Sequence, residues 1–460
     1  MSLTPGDSRI EEAVRQVRGE SDNAAIAPGS GGGAGEHTEG SHLFADRPRT
    51  SNTINPEQAF VHMIKAMLGT GLLSLPLAFK HSGLYLGLFL LIVICAVCLY
   101  CMRLVVFAAH FVCRRNGREL IDYANIMRGA VEAGPNWINT RGYFFKQLVN
   151  VNVFIAQLGF CCVYFVFMAD NLQDFFAINA GIHMAKAVWM VLLLIPIMAI
   201  CSIRKLSSLA PFAFAANMIY LTAVGIVIYY FLTHLQPTSN VTKFGRLEDL
   251  PLFFGTVMFA FEGVSVVMPL ENRMEKPQFF ISWNGVLNSS CLVVLAVFAV
   301  IGFYGYLSVG DIVKDTVTLN LPNEPFYQML KIMFVLCVMV SYPLQFYVPM
   351  ERIEKYITRK CPAEKHIKYI YIARFLIVLT TLAIAELVPH LALFIALIGA
   401  VACTSLALLF PPLIDLLVSY AQNRLTVKTW IIDGIMLFFA FIGFVTGTYS
   451  ALSEIIATFQ

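Results

Sequence analysis

Charge is scarce in this 460-residue chain: Asp, Glu, Lys and Arg together make up 13% of it, against about 25% in an ordinary soluble domain. Hydrophobic residues reach 58% and mean hydropathy is +0.71. A soluble globule could not hide that much apolar surface. The alternating apolar and polar pattern of an outer-membrane barrel is absent. So are a His-Glu-x-x-His motif, a nucleophile elbow and any Cys/His metal spacing, so neither an enzyme nor a metal or cofactor site is expected. No charged ring or filter-like repeat suggests a channel, and no nucleic-acid partner is expected. Eleven cysteines are present, yet none falls in a segment expected outside. Cys95, Cys161, Cys162, Cys291 and Cys337 lie in apolar runs and read as small buried hydrophobes without a disulfide framework. Residues 1–55 have no apolar stretch, so no signal peptide is expected there. Their Gly, Ser, Glu and Asp content predicts a disordered cytoplasmic tail, with the first span as signal anchor.

Long apolar runs fill the remainder, for example 84–112 and 187–203. About 20 such residues cross a hydrocarbon core of roughly 30 Å at 1.5 Å rise each, and backbone groups satisfied within their own segment must be helical. The runs predict an all-α polytopic membrane protein, with a transmembrane domain over 56–460. About eleven spans are expected, at 57–79, 84–112, 144–169, 185–201, 206–232, 252–270, 285–306, 326–350, 369–387, 391–413 and 430–457. With the N-terminus cytoplasmic, roughly 25 of the 32 Lys and Arg lie on the cytoplasmic side. The clusters are Arg114, Arg115 and Arg118, then Arg204 and Lys205, then 352–368. The same topology puts the sequon at Asn240, Val241 and Thr242 outside, where glycosylation takes place. A second sequon at Asn288 lies within a span and reads as coincidence.

Polar chemistry enters the membrane at two places. In the first span Gly69 and Gly71 flank Thr70, and Pro76 follows. Each Gly costs a helix about 1 kcal/mol relative to Ala, so the helix is expected to break there. Such a break is tolerated where it lines a cavity or is covered by protein. The N–H groups it frees suit a carboxylate; the competing reading is close packing through small residues. In the sixth span Phe261, Glu262 and Gly263 place a carboxylate amid apolar sequence, which is expensive unless paired or facing water. Interrupted helices opening each of two five-span halves mark the site of an inverted-repeat transporter. Gly69, Thr70, Gly71, Phe261, Glu262 and Gly263 are therefore the candidate substrate-binding residues. Glu262 and His62 are the candidate proton-coupling residues, His62 because its ordinary pKa lies in the range that proton coupling uses.

The residues His62, Lys65, Gly69-Thr70-Gly71-Leu72-Leu73-Ser74-Leu75-Pro76, Phe261-Glu262-Gly263 and Pro269-Leu270-Glu271-Asn272 resemble those of the proton-coupled amino acid transporter family, part of the amino acid/auxin permease group. The resemblance covers nearly everything after Asn55, including Asp122-Tyr123-Ala124. It implies a five-plus-five inverted repeat with broken first and sixth helices and an eleventh helix added. It also implies movement of small neutral amino acids into the cytosol with a proton, from outside or from the lysosome. Well-known members carry paired outer-loop cysteines, and this chain departs from them in having none. Sodium coupling is the alternative within this class. A transporter-like amino acid sensor, with signalling partners on the 1–55 tail, is the alternative outside it.

Asn150, Asn152, Gln157, Ser341, Tyr342, Thr404 and Ser405 could line a pathway, but interhelical hydrogen bonds of about 0.6 kcal/mol each explain them as well. Lys65 is a conceivable partner for Glu262. His110, His183, His234, His366 and His390 fall at span ends or in loops.

Overall fold

The structure, a computed structural model, describes residues 53–117, 120–203, 210–387 and 390–458. Residues 1–52 of the tail, Arg118, and the Arg204 and Lys205 pair lie outside these.

Among the described residues nine helices are long and apolar enough to cross a membrane. A tenth crossing is the pair Pro56–Met67 and Thr70–Ser82, bent by 45° at its break, and the shorter apolar helix Lys186–Cys201 stands where the fourth span was expected. The eleven expected spans are thus accounted for, several with longer helices than hydropathy suggested. The third runs from Gly142 to Ala180, well past the apolar limit, and ends on Gly181 in the left-handed region. Its extension carries Asp170 and Asp174, which meet Lys186 at 2.6 Å and Lys331. Ion pairing thus lets the helix continue beyond the apolar core.

Spans differ in how much of their apolar surface other spans cover. The sixth (Leu250–Ala260 and Val264–Glu271) and the tenth are 78% buried over their most apolar stretch, and the third 72%. The eleventh (Val427–Thr458) is only 17% buried and the ninth (His366–Glu386) 22%. The core therefore centres on spans 3, 6 and 10, and the outer helices turn their Leu, Ile and Phe outward. Span 10 is irregular where it is central. Leu391–Ile398 passes into π-helical turns over Gly399–Cys403 and Ser405–Leu409 before Phe410–Ala421 resumes. Pro411 and Pro412 cannot donate to the ladder, and a widened turn takes up the misfit. Spans 6 and 10 touch where Gly399 meets Gly255: a Cβ on Gly399 would stand 1.8 Å from the Gly255 carbonyl oxygen.

Both ends are tied by backbone bonds. At the N-terminal face Ile54 donates to Arg273 O (2.8 Å) and accepts from Glu275 N (3.0 Å), joining the start of span 1 to the end of span 6. Asn55 then begins the first helix with a capping box to Gln58. At the opposite face the 5–6 loop lies on the corner between spans 1 and 2. Leu84 N meets Thr242 O at 2.9 Å and Gly245 N meets Ser82 O at 2.8 Å. Gly83 makes that corner at φ +78, where a Cβ would also strike Gly245 N at 2.5 Å.

The Gly399 contact yields a stability prediction. Gly399→Ala should cut the yield of monodisperse protein several-fold on size-exclusion chromatography, because its Cβ meets backbone that cannot move aside. Gly434→Ala on span 11, where a Cβ has nothing within 4 Å, should leave the yield unchanged.

Candidate functional site

The first helix buries Ala59, Met63 and Met67, a stripe at i, i+4 and i+8. Its ladder stops at Leu68, and Gly69 follows in an extended conformation (φ −109, ψ −161). A tight turn over Thr70–Ser74 restarts the chain, and Leu75–Ser82 completes the crossing. Leu72 N bonds Gly69 O at 3.2 Å, and the leading N–H groups on Thr70 and Gly71 have no ladder carbonyl to use. Gly69 O also accepts from the Tyr220 hydroxyl of span 5 at 2.9 Å, so a polar side chain from a neighbouring helix satisfies part of the break. Tyr220 in turn sits edge-on to Phe334 of span 8 at 5.7 Å.

Span 6 leaves its helix at Ala260 and resumes at Val264, with Phe261, Glu262 and Gly263 between. The structure brings this interruption against the first. A Cβ on Gly71 would lie 2.7 Å from Ala260 Cα and 3.0 Å from Phe259 Cδ1. A Cβ on Gly263 would lie 3.2 Å from Met67. The two glycines of the first break consequently differ. Gly71 is the point of close approach between the spans, whereas a Cβ on Gly69 has open space around it.

Glu262 is 7% exposed, and among the described residues neither carboxylate oxygen has a hydrogen-bond partner. The Ser265 hydroxyl and N–H are near enough to act on it but do not reach hydrogen-bond geometry. The Cys98 thiol of span 2, the Cys403 thiol of span 10 and the Tyr123 hydroxyl are close enough to feel its charge. Lys65 is not its partner: the Lys65 ammonium lies 5.3 Å from the Phe214 ring centroid. A buried carboxylate with no fixed cation can hold a proton or a cationic ligand.

Phe261 packs on Phe298 of span 7, with ring centroids 4.9 Å apart. Phe259 borders the break and meets Phe160 of span 3 edge-on at 4.7 Å. His62 is not gathered into the site. It stands about two turns before Gly69, off the Ala59–Met63–Met67 stripe and exposed, with Lys65 and Arg273 as the charges acting on its ring. Most of the other polar span residues bond carbonyls of their own helix: Asn152 to Leu148, Ser341 to Cys337, Thr404 to Gly399 and Ser405 to Val401. Tyr342 instead reaches Thr381 of span 9 at 2.8 Å, and the side-chain oxygen of the buried Gln157 has no partner among the described residues.

Sequence reading missed three groups. Tyr220 looked like one aromatic among many in an apolar run, and nothing local marks its bond to Gly69. Glu271 is buried at 1% exposure and pairs with His110 of span 2 at 3.5 Å. The Pro-Leu-Glu-Asn motif was the available signal, while His110 itself read as interfacial. His81, at the end of span 1, was not singled out.

The profile of the family described as "Transmembrane amino acid transporter protein" matches residues 52–453. A "Proton-coupled amino acid transporter-like protein pathetic" of Drosophila melanogaster is 31% identical over 420 residues, covering 91% of this chain and 88% of its own length. "Probable amino acid transporter skat-1" of Caenorhabditis elegans is 24% identical, covering 93% and 96%. Among solved structures, a nucleobase-cation-symport-1 family transporter in a closed conformation aligns with a TM-score of 0.51 at 14% identity, covering 90% of this chain and 94% of that one. That likeness concerns the fold, a five-plus-five inverted repeat with broken first and sixth helices.

The two glycines generate a paired prediction. Gly71→Ala should abolish uptake of radiolabelled amino acid, because its Cβ would push Ala260 and Phe259 away. Gly69→Ala, with room for a methyl, should fold and retain uptake with a changed apparent KM. Normal uptake by Gly71→Ala would show that the close approach is not required.

Proposed function

The chain belongs to the transmembrane amino acid transporter family, and from that premise we propose that it moves small neutral amino acids into the cytosol together with a proton. Glu262 carries the proposal: it is a buried carboxylate, without hydrogen bond or ion pair among the described residues, in a helix interruption pressed against a second one. The backbone around Gly69, Thr70 and Gly71 receives the substrate carboxylate. Glu262, flanked by Phe261 and Gly263, serves the substrate ammonium, the coupling proton, or each in turn. Phe259, backed by Phe160, limits the size of the side chain admitted. The Drosophila relative's name supports a proton as the coupling ion. Sodium is the competing ion, since an unpaired carboxylate also attracts a metal cation.

His62 acts apart from the substrate, setting the pH response from the N-terminal side, where its exposure gives it ready proton exchange. In the proposed topology the N-terminus is cytoplasmic and the protein resides in the plasma or lysosomal membrane. Asn240 then lies on the outer or lumenal face. It is exposed, in the turn Thr238–Asn240, and accessible to the glycosylation machinery. Treatment with an N-glycosidase should therefore increase gel mobility of the wild type but not of Asn240→Gln. An unchanged wild-type band would count against glycosylation there.

Uptake measured from about pH 5 to about pH 8 with and without sodium, at matched protein amounts, tests the coupling. Wild-type uptake should rise as the pH on the outer face falls, regardless of sodium. Glu262→Gln should lose net accumulation and its pH dependence while retaining amino acid exchange, and His62→Gln should shift the pH profile. Dependence on sodium rather than pH would overturn proton coupling. An unaltered profile in His62→Gln would remove that residue from it.

A further inference from the structure

A small recess lies beyond the first break, on the face away from the N-terminus. Ser74 and His81 of span 1, Leu252 and Thr256 of span 6, and Ala392 and Ala396 of span 10 line it. It has room for about one water molecule, and it has the polar groups that a water needs. Ser74 is 1% exposed, and among the described residues its hydroxyl oxygen has no hydrogen-bond partner. Thr256 donates to Leu252 O at 2.9 Å, which leaves its oxygen free to accept. His81 lies seven residues, about two helical turns, beyond Ser74 and so on the same side of the helix. These three groups fall within the two to four partners of a typical buried water.

The surroundings of His81 are rich in carboxylates. Burial disfavours the imidazolium of His81 and lowers its pKa; Asp249 before span 6 and Asp315 in the 7–8 loop oppose that effect, and the adjacent Lys80 adds to it. Asp315 accepts from Ala392 N at 3.4 Å and lies 4.0 Å from His390. Asp170, paired with Lys186 at 2.6 Å, interacts with both Asp315 and His390. Glu454 of span 11 interacts with Asp249. Four carboxylates against Lys80 and Lys186 give this mouth a field that concentrates cations, protons included.

We propose that this recess is a proton-relay site, in which His81 takes a proton at the mouth and passes it through one bound water to Ser74. The imidazolium N–H gives its proton to the water, and the water gives one of its own to the Ser74 hydroxyl. The hydroxyl releases its original proton toward the break four residues away, so each group ends as it began. The relay rests on the reading that the transporter is proton-coupled, with Glu262 as the acceptor beyond the break. It adds a route and two residues that the breaks themselves do not supply.

The test uses the full chain in oriented proteoliposomes, with radiolabelled L-alanine as substrate. The pH on the His81 side is varied at fixed pH on the other. His81→Gln and Ser74→Ala should each need a pH about one unit lower for half-maximal uptake, a tenfold loss of apparent proton affinity. The apparent KM for alanine at the most acid pH should stay within about twofold of wild type, because neither residue touches the substrate. If one variant does not purify as monodisperse protein, Thr256→Val alters the same recess and should shift the profile in the same direction. A wild type indifferent to the pH gradient overturns proton coupling, and the relay falls with it. A wild type that responds, with variants that keep its half-maximal pH, overturns the relay alone.

Discussion

Gly71 lies so close to Ala260 that a single added carbon would collide with the sixth span's backbone, at 2.7 Å. Much of the interior follows from this approach. Two helices that each lose their ladder in mid-membrane would ordinarily strand polar backbone where no water reaches it. By abutting, they cover each other's irregular turns, and neighbouring helices supply the missing bonds. The Tyr220 hydroxyl reaches Gly69 O at 2.9 Å, and the Tyr123 hydroxyl reaches Leu406 O in the irregular part of span 10 at 2.7 Å. Glycine at 71 is thus a packing requirement.

Charge follows a related logic. Lys331 pairs with Asp174, Arg374 with Glu354 at 2.7 Å, and Glu271 with His110 at 3.5 Å, all with one member nearly fully buried. Such pairs hold helices together because breaking one leaves an uncompensated buried charge. Glu262 differs from these in having no such partner among the described residues. A lone buried carboxylate weakens the fold unless something else takes its charge, and that demand is what suits it to binding a proton or a cationic substrate and then releasing it. Its neighbours Cys98, Cys403 and Tyr123 are not cations, so none of them fixes its charge.

The breaks were legible because each has a local cause: Gly69, Gly71 and Pro76 in one span, and Glu262 beside Gly263 in the other. Tyr220 and the His110–Glu271 pair were not, because each bond joins residues more than 150 positions apart and no periodicity connects them. Phe261 illustrates a different limit. It adjoins Glu262 in sequence, yet at the interruption the chain turns its ring toward Phe298, while Phe259 borders the break.

By itself the sequence determined the class of molecule, the approximate span positions and the two interruptions. Apolar run length against bilayer thickness and the poor helix-forming power of Gly and Pro are properties of short stretches, readable without a partner. Only the tertiary structure decided that Gly71 rather than Gly69 is the point of contact, and that Lys65 lies over Phe214 and leaves Glu262 unpaired. It alone also set His62 apart from the site and gathered Ser74, His81 and Thr256 around one recess. Each of these depends on which faces of distant helices meet. That is settled by the packing of the whole bundle, where close approach and burial are shared among many residues at once.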